Sequence, residues 1–174
     1  MVVVAGSPAS PTVLERKRVQ IMDASIPGSK QPFHHAVELE PVEARAYLDD
    51  CRDQSRKMAL AAAKEALRKH QPVVCGMGIS SARPMGTLEA TLASHAAIHS
   101  AEGEFFREAI AYAVESCKLP CTRIKEKELL DHAAAAFKMS DLAARLTDLK
   151  KILGPPWTED EKYAALAAWI ALKS

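Results

Sequence analysis

Aromatic side chains make up only 5% of the chain, so single-stranded nucleic acid would find few platforms for base stacking. No charge of one sign is in surplus: 23 Lys and Arg against 22 Asp and Glu leave +1. This excludes a strongly basic nucleic-acid binder but not a local basic patch. No apolar run approaches the roughly 18 residues of a membrane-spanning helix. The opening Met1-Val2-Val3-Val4-Ala5 has no basic region and is too short for a signal peptide, so the expected compartment is cytoplasmic, without a membrane partner. Zinc-ribbon spacing is missing as well. Cys117 and Cys121 stand alone, without a second cysteine pair, and Cys51 and Cys75 are isolated. In a reducing compartment the four cysteines read as small apolar fillers rather than disulfides.

What is present is ordinary for a globular chain: 174 residues, 48% hydrophobic and 26% charged, enough for one domain with its own core. Val2–Ala5 reads as a buried strand, closed by the turn chemistry of Gly6-Ser7-Pro8-Ala9-Ser10-Pro11. Arg18–Ala24 and Phe33–Leu39 read as two further strands around Pro27-Gly28-Ser29, which predicts a three-stranded antiparallel meander. A long helix is predicted from Pro41 to about His70, with Ala44, Leu48, Cys51, Ser55, Met58, Ala62 and Ala66 on one stripe. Val73–Ile79 reads as a buried strand, Ser80–Gly86 as a loop, and Thr87 to about Lys118 as a second long helix. Cys121–Ile124 is a short strand. Helices follow at Lys127–Lys138, Ser140–Leu153 and Thr158–Lys173, the last opened by the capping box Thr158-x-x-Glu161.

The last two strands must join through helical crossovers, which requires parallel pairing. The expected fold class is therefore α/β: a five-stranded mixed sheet, a three-stranded antiparallel meander plus two parallel strands, with helices on both faces. That order resembles the ribonuclease H-like superfamily, and within it the bacterial Holliday-junction resolvase and resolvase-like branch. Val2-Val3-Val4-Ala5-Gly6-Ser7-Pro8-Ala9-Ser10 is similar to that family's first strand and turn. Thr158-Glu159-Asp160-Glu161-Lys162-Tyr163-Ala164-Ala165-Leu166-Ala167 is similar to its alanine-rich C-terminal helix. The resemblance implies one ribonuclease H-like domain over residues 1–174.

The family's catalytic acids do not follow. Its first strand ends in aspartate, where this chain has Ala5-Gly6-Ser7, and its fourth strand ends in glutamate, where this chain has Gly76-Met77-Gly78-Ile79. The aspartate of its C-terminal helix falls near Ala164, with Asp160 and Glu161 a turn earlier. Two-metal phosphodiester cleavage needs several carboxylates converging on two ions. The resemblance thus implies a catalytically degenerate ribonuclease H-like domain acting in nucleic-acid-associated binding or assembly. Its expected partners are a nucleic acid, another protein or a second copy of the chain. A nuclease using acids such as Asp23, Asp160 and Glu161 is a further alternative.

The segment most suggestive of chemistry is the helix from Thr87. Its stripe reads Leu88, Leu92, His95, His99, Glu102, Phe106, Ile110 and Ala113, so a polar trio interrupts an apolar face. His95, His99 and Glu102 lie one turn apart in succession and can converge. Two imidazoles and a carboxylate can bind a divalent metal ion or carry acid–base catalysis, which makes a metal-dependent hydrolase the alternative function. The motif His-x-x-x-His is short, and Ala96 stands where the zincin helix has glutamate. The plainer account is a hydrogen-bonded histidine pair at the mouth of the core. His34-His35 is the second candidate. On a strand the two rings point to opposite faces, and His35 is expected as a third nitrogen ligand.

Three weaker features complete the survey. Gly76-x-Gly78 with Ser80-Ser81 and Arg83 sits between a strand and a helix, where phosphates bind, but the dinucleotide and P-loop motifs are absent. Arg123, Lys125 and Lys127 form a basic strip interleaved with Glu126 and Glu128. Trp157 and Trp169 are expected to anchor the C-terminal helix or an oligomer contact.

Overall fold

The computed structural model describes residues 1–7, 10–79, 86–137 and 142–173. Along the chain the elements are β1 (Val2–Ser7), β2 (Ser10–Arg16), α1 (Pro32–Ala36), α2 (Pro41–His70), β3 (Cys75–Ile79), α3 (Leu88–Leu92), α4 (His95–Ser116), β4 (Cys121–Lys125), a 3-10 turn (Glu126–Glu128), α5 (Leu129–Phe137), α6 (Leu142–Leu153) and α7 (Glu159–Ala171). Among the described residues, no helix is long and apolar enough to cross a membrane.

The expected five-stranded ribonuclease H-like sheet is not formed. The described residues hold four short strands in two separate two-stranded sheets, β1 with β2 and β3 with β4. Two of the expected meander strands are not strands. Arg18–Ala24 is irregular, and Phe33–Leu39 is mostly the short helix α1. The apparent alternation of Phe33, His35, Val37 and Leu39 yields to burial of Phe33 and Ala36, three residues apart, and Pro32 opens the helix at its first turn. The actual partner of β1 is β2, a segment whose prolines read as a break. Pro11 sits opposite Gly6 near the end of a two-stranded ribbon, where a missing N–H costs little. β1 and β3, expected in one sheet, instead lie in different sheets that both pack on α7.

The chain divides into two compact units. The first comprises Met1–Arg18, His70–Ser81 and Leu119–Ser174. It contains both sheets: the antiparallel ribbon, with an irregularity between Val3 and Val4, and the parallel pair β3–β4. Its core gathers Ile124, Leu129, Leu166 and Trp169, and Trp169 stacks on Phe137 at 4.4 Å, so this tryptophan anchors the C-terminal helix. The capping box is present: Thr158 Oγ1 accepts from the Glu161 N–H, and the Glu161 carboxylate accepts from the Thr158 N–H at 2.7 Å. Arg16 donates to the carbonyls of Gly154 and Pro156 and pairs with Glu161, which ties the end of α6 to the start of α7.

α7 approaches β3 so closely that a Cβ on Gly76 would lie 1.9 Å from the Ala167 carbonyl oxygen. Gly76 is therefore a contact glycine, not part of a phosphate loop. Ser80, Ser81 and Arg83, which would complete such a loop, lie outside the described residues, as do Pro8 and Ala9 of the first turn and Lys138 and Ser140 at two expected helix ends.

The second unit, Val19–Lys69 and Ala82–Lys118, is helical. α2 buries Ala44, Leu48, Cys51, Ser55 and Ala66 as its periodicity requires, and Ala59 rather than Met58 and Ala62. Phe33, Leu48, Ile98, Ala101 and Phe105 close the core, with Phe33 and Phe105 edge to face at 6.0 Å. The expected single helix from Thr87 is broken at Ala93-Ser94. Ser94 is extended, and its side chain accepts from the Ala97 N–H as an N-cap, the role serine prefers to a helix interior. Thr87 caps α3 in the same way.

Candidate functional site

The site lies in the helical unit, where α1 meets the start of α4. Pro32 begins α1, and Gln31 provides no side-chain cap. The first-turn N–H groups of this helix therefore need another acceptor. Glu102, on the buried face of α4 between Ala101 and Phe105, supplies it. Its Oε1 accepts from the Phe33 N–H at 3.1 Å and the His34 N–H at 3.2 Å. The same oxygen lies 3.0 Å from His34 Nδ1. Glu102 is only 9% exposed, and these bonds explain how a carboxylate remains stable there.

This arrangement fixes His34. Phe33 and Ala36 are driven into the core, so the intervening ring is placed at the edge, half-buried, with Nδ1 on Glu102. A carboxylate acceptor favours the proton on Nδ1 and leaves the lone pair on Nε2. His95 and His99, both exposed, stand one turn apart on α4, with their Nε2 atoms 3.1 Å from each other. Ring centroids are 5.6 Å from His34 to His95, 4.8 Å from His34 to His99, and 4.5 Å from His95 to His99. One nitrogen from each of the three rings lies within 4.8 Å of the other two.

That geometry fits a divalent cation. Metal–nitrogen bonds of about 2.0–2.1 Å in a tetrahedron place ligand nitrogens about 3.3 Å apart. The His95–His99 separation of 3.1 Å already meets this. The third nitrogen, on half-buried His34, lies within 4.8 Å of both. Without an ion, two facing Nε2 atoms hold together only when one carries a proton for the other, a place that a cation could take.

The expected trio is thus brought together with its roles redistributed. His95 and His99 converge as expected from their spacing. Glu102 joins them through His34 rather than as a direct neighbour of the pair. His34, not His35, is the third imidazole. His35 packs on the Tyr47 ring at 4.8 Å and lies 3.9 Å from Glu38. The strand reading of residues 33–39 led to the wrong ring. The readable signal was Pro32 as a helix opener, which puts His34 two residues into a helix.

A groove of about 410 Å³ borders His34. It is lined by Gly28, Lys30, Gln31, His35 and Glu38, among others. Gly28 adopts φ +73°, and a Cβ there would lie 2.4 Å from His35 Cβ, so glycine shapes this wall.

The other candidates are engaged elsewhere. Glu161 caps α7 and pairs with Arg16, and Asp23 accepts from Ser25, which holds its carboxyl below the usual range. Asp160 lies in the exposed first turn of α7. Arg123, Lys125 and Lys127 are exposed, and Lys125 pairs with Glu128 at 3.4 Å, which makes a mixed-charge edge. Comparison with protein-family models, curated proteins and solved structures finds no match.

Proposed function

We propose that the protein is a metal-dependent hydrolase whose divalent cation, zinc by ligand preference, is held by His34, His95 and His99. The observation that carries this reading is the convergence of three imidazoles, one of them oriented by a buried carboxylate, beside a groove. Three nitrogen ligands with a position left for solvent is the ligand count of catalytic rather than structural zinc sites. A bound cation supplies a Lewis acid and a water that ionises near neutral pH. The chain supplies the rest. Glu102 sets the tautomer and ring plane of His34. Ser94 fixes the turn that carries His95. Lys30 and Gln31 place donors along the groove for a polar or anionic substrate group. The N-terminal end of α4 carries partial positive charge that opposes a cation, and the Glu102 carboxylate offsets it.

The degenerate nucleic-acid-binding reading rested on the sheet topology and on the missing strand acids, and the topology is not the expected one. The test of the hydrolase reading is an assay on activated carboxylic and phosphate esters with zinc-loaded, desalted protein. Chelation should abolish turnover, one equivalent of zinc should restore it, and His34→Ala should lack it. Zinc binding without turnover would remove the hydrolase reading. Turnover unchanged in His34→Ala would place the chemistry elsewhere.

Glu102→Gln probes the orienting role separately. The amide keeps an oxygen for the Phe33 and His34 N–H groups but loses the charge that polarises His34. Zinc affinity should fall about 10- to 100-fold while the helical content stays. Competition with a chromophoric chelator measures it, and unchanged affinity would show that Glu102 only caps α1.

A further inference from the structure

We propose that Cys75 and Cys121, in the sheet-containing unit, form a reversible dithiol–disulfide pair that staples β3 to β4. Three observations bring them together. They are direct register partners in the parallel pair β3–β4, so their side chains leave the same face of the sheet. Adjacent strands run about 4.8 Å apart, inside the 4.4–6.8 Å window of Cα separations that a disulfide spans. Both residues are thiols in no disulfide, half-buried rather than sealed in the core, unlike Cys51. The opposite face, carrying Gly76, is the one α7 covers.

The two thiols already interact. The hydrogen bond with Cys121, then burial, then the charge of an ionised Cys121 push the Cys75 thiol up. Cys75 therefore holds its proton, which assigns the first attack to Cys121. The oxidant is a small-molecule disulfide such as oxidised glutathione. The Cys121 thiolate attacks one of its sulfurs, the S–S bond breaks, and one glutathione thiolate leaves. Cys75 then gives up its proton and attacks the Cys121 sulfur of the mixed disulfide, and the second glutathione thiolate leaves. The protein loses two protons and two electrons, which the small disulfide gains as two thiols. From the sequence alone all four cysteines read as apolar fillers, because strand register is invisible in the chain. The loop closed by the bond contains His95, His99 and Glu102, although the pairing does not depend on the metal reading.

The test uses the full chain equilibrated across ratios of reduced to oxidised glutathione, then alkylated and weighed intact with peptide mapping. The expected product lacks two hydrogens, carries no glutathione, and maps to Cys75–Cys121. Cys75→Ser and Cys75→Ala should both stop at the mixed disulfide on Cys121, with at least about tenfold more glutathione-bound protein than wild type. Full alkylation of both wild-type thiols at every ratio would overturn the proposal. A bond to Cys51 or Cys117, or one between two chains, would overturn it as well.

Discussion

His99→Ala lowers zinc affinity at least about 100-fold, or about 2.7 kcal/mol. The argument is geometric. The 3.1 Å His95–His99 pair is the pre-formed edge of the site, so removing either ring breaks the part that needs no rearrangement. Loss of an orienting neighbour alone costs about 10- to 100-fold in metal sites, and loss of a ligand costs more. The same change barely affects the fold, since His99 is exposed and outside the core cluster. Wild-type protein at pH 8, where protons compete least for imidazole, should melt about 5–10 °C higher with zinc at 100 times its dissociation constant. The variant at that zinc concentration should show almost none of this shift. An equal shift in both proteins would place the bound zinc elsewhere.

Gly76→Ala destabilises the protein by about 3 kcal/mol or more. The added carbon would meet backbone, the Ala167 carbonyl oxygen at 1.9 Å and its carbon at 2.2 Å, so no side-chain rotation relieves the clash. α7 must move off β3 or the sheet must bend, and either opens the core around Leu166 and Trp169. Gly103→Ala is the matched control. It lies inside α4, where a Cβ meets only the end of the flexible Arg107 side chain at 2.8 Å. Replacing a helix-interior glycine there should stabilise by about 0.5–1 kcal/mol. Urea unfolding measures both. Opposite signs support the packing account, and a neutral Gly76→Ala contradicts it.

The helices were legible because their signals are local. Pro41, the Ala44–Leu48–Cys51–Ser55 stripe and the Thr158-x-x-Glu161 box each act within a few turns and hold in the structure. The strands were less so, because pairing is a long-range choice. Val2–Ala5 and Cys121–Ile124 fall within strands, but nothing in residues 10–16 outweighed Pro8 and Pro11, and Val73 is exposed ahead of β3. The five-stranded sheet failed at residues 18–39, where the described residues form no strand and two of its expected members are missing. The site followed the same division. His95, His99 and Glu102 share one helix, so their spacing sufficed. His34 comes from another helix, and its place depends on Glu102 capping α1 across 68 residues of chain.

X-ray absorption at the zinc edge of protein loaded with one equivalent of zinc reads the ligand set directly. The account predicts a nitrogen and oxygen shell at about 2.0–2.1 Å with outer-shell scattering from three imidazoles, falling to two in His34→Ala. A sulfur shell at about 2.3 Å, as Cys75 and Cys121 would give, or fewer than two imidazoles in the wild type, would contradict it.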